Sequence, residues 1–467
     1  MSLSAGATGI GSICSPRHTP AAWMTLNSTK KSSLKALAIK GSIWTLAGHG
    51  GVLLIRMARS LIMTRLLFPE IYGLMTLVWA VLYGLQMFAD TGITAAIIRD
   101  KRGDEPDFLN TAFTTNVFRG VLLWVVSCLV AYPVAAIYHQ PALAKLLPVT
   151  GLTALIHGFV STAMYTRRRH MDFKRLAVLD LSNETVTFVV LIIWAYFFPN
   201  VWSIVGGAVV GQIFLVLASH FYLPGIRNRF RWDPSALDTF MTFGKWIYLS
   251  SVVYFLSTQS DRFMLGRYLD MIHLGVYGTA TVLSGAVQTI VLKINTDVLF
   301  PVYSRVVQEG TGRLRQVVLR TRLAVDAGMI LPIAAMMVLG GQIVGLLYDR
   351  RYHDAGWMLQ VLSIRLIIVA SVSNGESCLM ALGHPKYSFA ENLSRTIAIF
   401  AAIPVGWSLS GIHGVIWAVA LSELPPLVVI WIGLIKHRIF SVAAESRSLL
   451  FVCLGVLLGL GVSHFWR

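Results

Sequence analysis

The chain has 467 residues, of which 55% are hydrophobic and only 13% charged, and its formal net charge is +17. Soluble domains carry about a quarter charged residues, so the composition excludes an ordinary soluble domain and indicates a polytopic membrane protein. The excess of 39 Lys and Arg over 22 Asp and Glu raises nucleic acid as a partner. The placement of those residues argues for no nucleic acid: they gather in connections on one side of the predicted spans, where they set topology and meet anionic headgroups of the phospholipid bilayer.

Residues 1–32 are rich in Ser, Thr, Gly and Pro and lack an apolar run long enough for a cleaved signal. They are expected to form a disordered tail, with Met24 a plausible true start. A span needs about 20 mostly apolar residues. Thirteen stretches qualify: 43–66, 71–97, 111–137, 146–165, 176–198, 201–223, 246–266, 274–302, 323–347, 355–382, 387–409, 413–435 and 448–465. Few alternate strictly and most are apolar all round, so they read as helices and not as barrel strands. The expected fold is all-α, with about thirteen transmembrane helices. Short connections leave no sizeable soluble domain, which weighs against an enzyme. Cys14, Cys128, Cys378 and Cys453 show no paired spacing, so neither a disulfide framework nor a metal site is expected.

With the N-terminus cytoplasmic, that side holds Arg99, Lys101 and Arg102, the run RRRHMDFKR at 167–175, RNRFR at 227–231, and the arginines from Arg305 to Arg322. This asymmetry orients the chain. An odd number of spans then puts the C-terminus outside.

Two stretches repeat one another. GSIWTLAGHGGVLLIRMARSLIMTRLLFPEIYGLM starts at Gly41 and GKWIYLSSVVYFLSTQSDRFMLGRYLDMIHLGVY at Gly244. Each has an early Trp (Trp44, Trp246), then Arg-x-Leu (Arg65, Leu67; Arg267, Leu269), then Gly eight residues after the Arg (Gly73, Gly275). Matching Arg and Gly positions share an offset of 202 residues. Both start on the same side, so this is a parallel repeat: two six-helix lobes related by a pseudo-twofold axis along the membrane normal. The expected units are an N-lobe at 41–223, a cytoplasmic linker at 224–243, a C-lobe at 244–437 and an extra C-terminal span within 446–467.

The motifs R-L-L-x-P-E-x-Y-G (65–73), D-T-G-I-x-x-A-I-I-R (90–99), DRFMLGRYL and LGVY (261–277), FPVYSR (300–305) and GLLYDRRYHDAGW (345–357) occur in that order. In this arrangement the chain resembles the Wzx/PST-type polysaccharide flippases of the multidrug/oligosaccharidyl-lipid/polysaccharide (MOP) exporter superfamily. The resemblance implies a V-shaped transporter of 12 to 14 helices and no enzymatic activity. It implies a substrate of oligosaccharide linked to undecaprenyl pyrophosphate, moved from the cytoplasmic to the periplasmic leaflet of the bacterial inner membrane. It carries no cofactor, but suggests coupling to a proton or sodium gradient. Assembly with a polysaccharide polymerase and co-polymerase is left open by the sequence.

An ionisable group within a span is costly and usually faces a cavity or a partner. His49, Arg56 and Arg59 fall on one side of the first span. Arg56 and Arg59 are expected to contact the pyrophosphate or acidic sugars through their donor forks, with a structural ion pair as the alternative. Lys293 and Arg365 are further candidate cleft cations. In the seventh span Trp246, Ser250, Tyr254, Thr258 and Asp261 form a polar and aromatic stripe. By the repeat Asp261 matches Arg59, so an Arg59–Asp261 gate across the cleft is expected, the alternatives being that Asp261 neutralises Arg262 or lies at the outer interface. Glu184 and Asp90 are candidate proton or ion sites, and Glu391 with Arg395 is spaced for an ion pair along one helix. Competing functions are a drug or cation antiporter, which two arginines in the first span disfavour, and a peptidoglycan lipid-precursor flippase. A polymerase or ligase would be expected to have a large outer loop that is missing from this pattern.

Overall fold

The computed structural model describes residue 44 and residues 47–88, 93–170 and 172–465, with the side chains of 88, 95, 99, 239, 241–251 and 311 outside that description. The 1–32 tail, Asp90 and the side chains of Trp246 and Ser250 therefore lie outside the described residues. The secondary structure of the described residues is all helical, with no strand among them. Helix α1 covers 47–66. It is followed by α2 (Pro69–Phe88), α3 (Ile93–Arg99), α4 (Pro106–Ile137), α5 (Ala142–Gly158), α6 (Ala163–Arg169), α7 (Phe173–Phe197) and α8 (Val201–Phe221). The second half holds α9 (Pro234–Tyr268), α10 (Met271–Ile294), α11 (Phe300–Glu309), α12 (Leu314–Val325), α13 (Leu331–Leu347), α14 (Ala355–Ala381), α15 (Lys386–Leu421), α16 (Leu424–Lys436) and α17 (Val442–Phe465).

Helix starts follow local chemistry. Asn200 caps α8 through the Trp202 amide and Asp270 caps α10 through the His273 amide, each worth about 1 kcal/mol over alanine. Prolines mark the breaks. A π-helical turn at Asn295–Leu299 precedes Pro301 and another at Asp326–Ile330 precedes Pro332, loosening the ladder where proline has no N–H to give. Pro425 and Pro426 open α16, so the chain breaks at Ser422–Glu423 in the middle of an apolar stretch.

Among the described residues nine stretches are long and apolar enough to cross a membrane, or ten if the bent pair α5–α6 counts as one. This falls short of the thirteen expected. Part of the difference is visible in Lys386–Lys436, which counts as one stretch. Within it Gly411 adopts φ 57°, a left-handed value that suits glycine. A Cβ on Gly406 would overlap the Gly414 carbonyl, and one on Gly414 the Gly406 carbonyl. In a straight helix residues eight apart are about 12 Å apart, so the chain reverses here into a hairpin of two helices.

The repeat reappears in three dimensions. A Cβ on Gly73 would overlap the Met271 carbonyl, and a Cβ on Gly275 the Pro69 carbonyl. Pro69 and Met271 share the 202-residue offset of the two glycines, so these are one contact made twice. Helices α2 and α10 therefore cross with their backbones touching, and only glycine permits that approach. Further bonds close the same end: Tyr138 Oη donates to Phe263 O at 3.2 Å, Tyr352 Oη to Leu67 O at 3.0 Å and Arg351 to Arg65 O at 3.0 Å. Burial holds the Tyr138 phenol pKa up at about 12, so it stays a donor.

The 224–233 connection is strapped to the N-lobe. Amides of Arg229, Arg231 and Asp233 donate to Asn110, Thr114 and Thr111 of α4, and Phe240 packs edge-on against Phe108 at 4.9 Å. At the other end of the chain α17 lies on α13. Glycines 455 and 459 approach the Leu331 and Ala335 carbonyls, and Arg322 grips both Glu445 oxygens at 2.6 Å. Glycines 206, 207 and 211 of α8 pack on Trp194, Leu191 and Thr187 of α7, the ordinary small-residue packing their spacing suggests.

Candidate functional site

Arg56 and Arg59 project from α1 toward α7 and share one carboxylate. Arg59 Nη1 lies 2.8 Å from Glu184 Oε1, and Arg56 Nε lies 3.2 Å from Glu184 Oε2. Glu184 is buried, but the Arg56 side chain is 58% exposed and that of Arg59 29%. Asp180, one turn earlier on α7, is near enough for Arg56, His49 and Arg168 to act on it electrostatically. Lys293 of α10 comes across from the other lobe and acts on His49. Lys293 and Arg56 thus lie near enough to act on His49, and Arg56 near enough to act on Arg59. Arg56 and Arg59 share Glu184 as their one ion-pair partner among the described residues. A guanidinium has five donors, and one carboxylate shared by two of them leaves donors free for a ligand.

Glu184, expected as a proton site, stands here as the counter-ion of the two arginines. The separation in sequence, 128 residues between Arg56 and Glu184, hides the pairing.

The C-lobe handles its charges differently. Arg365, expected as a cleft cation, is already held by Glu423 (Nε–Oε1 3.0 Å) with a side chain only 16% exposed. Arg395 binds the other Glu423 oxygen at 2.8 Å and Glu391 at 2.8 Å, the latter being the expected pair along α15. Arg395 also donates to Ser257 and Asn392. The helix break at Ser422–Glu423 places the Glu423 carboxylate between both guanidiniums. No motif or spacing in the sequence singles out Glu423. The signal available was that buried arginines require carboxylates and that Pro425–Pro426 marks a break beside one.

The Arg59–Asp261 gate is not formed in this structure. Arg59 is taken by Glu184, while Asp261 accepts from Tyr277 Oη at 2.6 Å and from the Arg262 amide at 2.8 Å. Each charge is satisfied inside its own lobe. Asp261 does not neutralise the Arg262 guanidinium either, which donates to Gln259 at 2.6 Å. Of the stripe on α9, Tyr254 is exposed and Thr258 partly so, the Thr258 hydroxyl donating to the Tyr254 carbonyl at 2.8 Å.

Two half-bundles touching through a glycine seam, with buried charges facing inward, define a helical membrane transporter. Solved structures share this fold. One is titled Lipid II flippase MurJ, inward closed conformation (TM-score 0.67, 13% identity, 92% of this chain and 98% of that one). Another is an inward-facing multidrug resistance MATE family transporter of the MOP superfamily (TM-score 0.67, 15% identity, 85% and 96%). The family model described as polysaccharide biosynthesis protein matches residues 62–356, more than half of the chain, which belongs to that family. Similar relatives are the lipopolysaccharide biosynthesis protein WzxC of Escherichia coli K12 and the succinoglycan biosynthesis transport protein ExoT of Rhizobium meliloti. The first is 22% identical over 86% of this chain and 82% of its own length, the second 21% over 83% and 78%. The Wzx-type flippase resemblance and the MOP fold read from the motifs are thereby confirmed, and the chain is a transporter and not an enzyme.

Proposed function

We propose that the chain flips undecaprenyl-pyrophosphate-linked oligosaccharide repeat units from the cytoplasmic to the periplasmic leaflet of a bacterial inner membrane. The observation that carries this reading is the arginine pair that shares a single carboxylate, with Arg56 exposed and Lys293 opposite. A pyrophosphate carries more oxyanion acceptors than one carboxylate and fits the guanidinium fork. Glu184 holds the pair in place in the empty protein, and the lipid's phosphates take up the donors Glu184 leaves free. The glycine seam closes the cleft at the end away from the basic connections. With the N-terminus cytoplasmic, that is the periplasmic end, and the lobes rock about the seam to give alternating access. A proton or sodium gradient drives the cycle, and the polymerase and co-polymerase receive the product.

The relatives' printed roles in lipopolysaccharide and succinoglycan synthesis support a polysaccharide precursor as cargo. The test is leaflet-to-leaflet movement in proteoliposomes of lipid-linked oligosaccharide extracted from the producing cell. Wild type moves it and folded Arg56→Ala/Arg59→Ala does not. Movement by neither, with the wild type shown to be folded, contradicts the proposal.

A further inference from the structure

A second polar chamber lies in the C-lobe. It has a volume of about 450 Å³ between α9, α10, α14 and α15, with Tyr83 of α2 on its lining. This is within the range that holds small-molecule ligands. Its charges balance: Arg262, Arg365 and Arg395 against Asp261, Glu376 and Glu391. The arginines are also committed, Arg365 and Arg395 to Glu423 and Arg262 to Gln259. An anion therefore finds no spare cation here.

What remains free is neutral hydrogen bonding. Glu391 is 4% exposed and its Oε2 meets no donor. A buried carboxylate oxygen without a donor is costly, and a ligand hydroxyl supplies one. Gln288 lines the same wall, one turn from Ser284, and makes no side-chain hydrogen bond to another described residue. Its amide both donates and accepts. Beside it Gly285 faces open space: a Cβ there would meet nothing within 4 Å. Tyr83 and Tyr254, 37% and 45% exposed, add two aromatic rings to the lining. Planar polar side chains with aromatic faces suit a ligand that has hydroxyls at its edges and C–H bonds on its faces.

We propose that this C-lobe chamber is a carbohydrate subsite, which takes neutral sugar residues through Gln288 and Glu391 while the Arg56–Arg59 cleft takes the pyrophosphate. This rests on the flippase reading and adds which lobe holds which half of the substrate. It also gives the chamber a specificity role: uronic acids and other anionic sugars are disfavoured there.

The experiment uses the full chain in lipid nanodiscs with two probes: free neutral hexoses and N-acetylhexosamines followed by saturation-transfer NMR, and undecaprenyl pyrophosphate without sugar. Gly285→Leu projects a side chain into the chamber from a position that is not itself part of the ion network, and Gln288→Leu removes one hydrogen-bonding wall. At least one neutral sugar should give saturation transfer with wild type and with Arg56→Ala/Arg59→Ala, falling about tenfold or more in each chamber variant, as expected for one or two lost hydrogen bonds. The bare lipid should bind wild type and Gly285→Leu alike and be lost from the double arginine variant. Bare lipid bound normally, with no neutral sugar signal or one that both chamber variants leave unchanged, overturns the subsite alone. Bare lipid that wild type does not bind overturns the flippase reading, and the subsite with it.

Discussion

Each lobe contains two arginines on one glutamate, and the two triads have different surroundings. In the N-lobe Glu184 serves Arg56 and Arg59, whose side chains are 58% and 29% exposed. In the C-lobe Glu423 serves Arg365 and Arg395, at 16% and 11%. The C-lobe adds a second carboxylate, Glu391, on Arg395, so its charges cancel and its donors are used up. In the N-lobe the further carboxylate, Asp180, makes no ion pair with either arginine among the described residues, and the guanidiniums stay partly exposed. The same three side chains make a clasp where burial and a further carboxylate close the account of charges, and a binding surface where they do not.

The largest effect should come from breaking the clasp. Glu423→Ala leaves two buried guanidiniums facing each other, and loss of one partner of a buried pair costs about 3–5 kcal/mol. Thermal unfolding in detergent should show a large drop for this variant, whereas Glu184→Ala, with its arginines partly solvated, should show a clearly smaller one. Equal drops would erase the distinction between the triads.

The seam comes next. Gly275→Ala drives a methyl group into the Pro69 carbonyl, and overpacking of this kind costs about 1–3 kcal/mol. Because the contact joins the lobes, the strain should part them. Disulfide cross-linking between cysteines placed at Thr76 and Gly278, which face each other in the same crossing, should then slow in the variant, and Gly73→Ala should act alike. If only one of the two glycines matters, the reciprocal contact is not a symmetry element.

Arg59→Ala should lower the transport rate about tenfold or more, the worth of one charge-assisted hydrogen bond to a phosphate. Initial flipping rates in proteoliposomes read this directly. The smallest effect is on stability at the exposed member: Arg56→Ala should shift unfolding by no more than about 0.5 kcal/mol, yet still reduce transport. A large stability loss would make Arg56 structural.

Much of this was legible in the sequence where the information is local or periodic. The apolar stretches fall on helices, and the Arg-x-Leu and Gly matches at Arg65–Gly73 and Arg267–Gly275 point to a repeat whose glycines form the seam. The Glu391–Arg395 pair could be read from its spacing of four. What could not be read is which distant charges meet. Arg59 and Asp261 match through the repeat, but equivalence under a pseudo-twofold axis does not make two residues touch. Each instead pairs within its own lobe, Arg59 with Glu184 and Asp261 with Tyr277. Likewise the hairpin turn at Gly411 and the break at Ser422–Glu423 lie in continuous apolar sequence, where hydropathy alone does not mark a reversal.

The central claim is that the open N-lobe triad recognises a diphosphate. The most direct measurement compares binding of undecaprenyl pyrophosphate and undecaprenyl monophosphate by the protein in nanodiscs, for wild type and Arg56→Ala. The account predicts that wild type prefers the pyrophosphate and that Arg56→Ala removes most of that preference. Equal affinity for the two lipids, or a preference that survives in Arg56→Ala/Arg59→Ala, would contradict it.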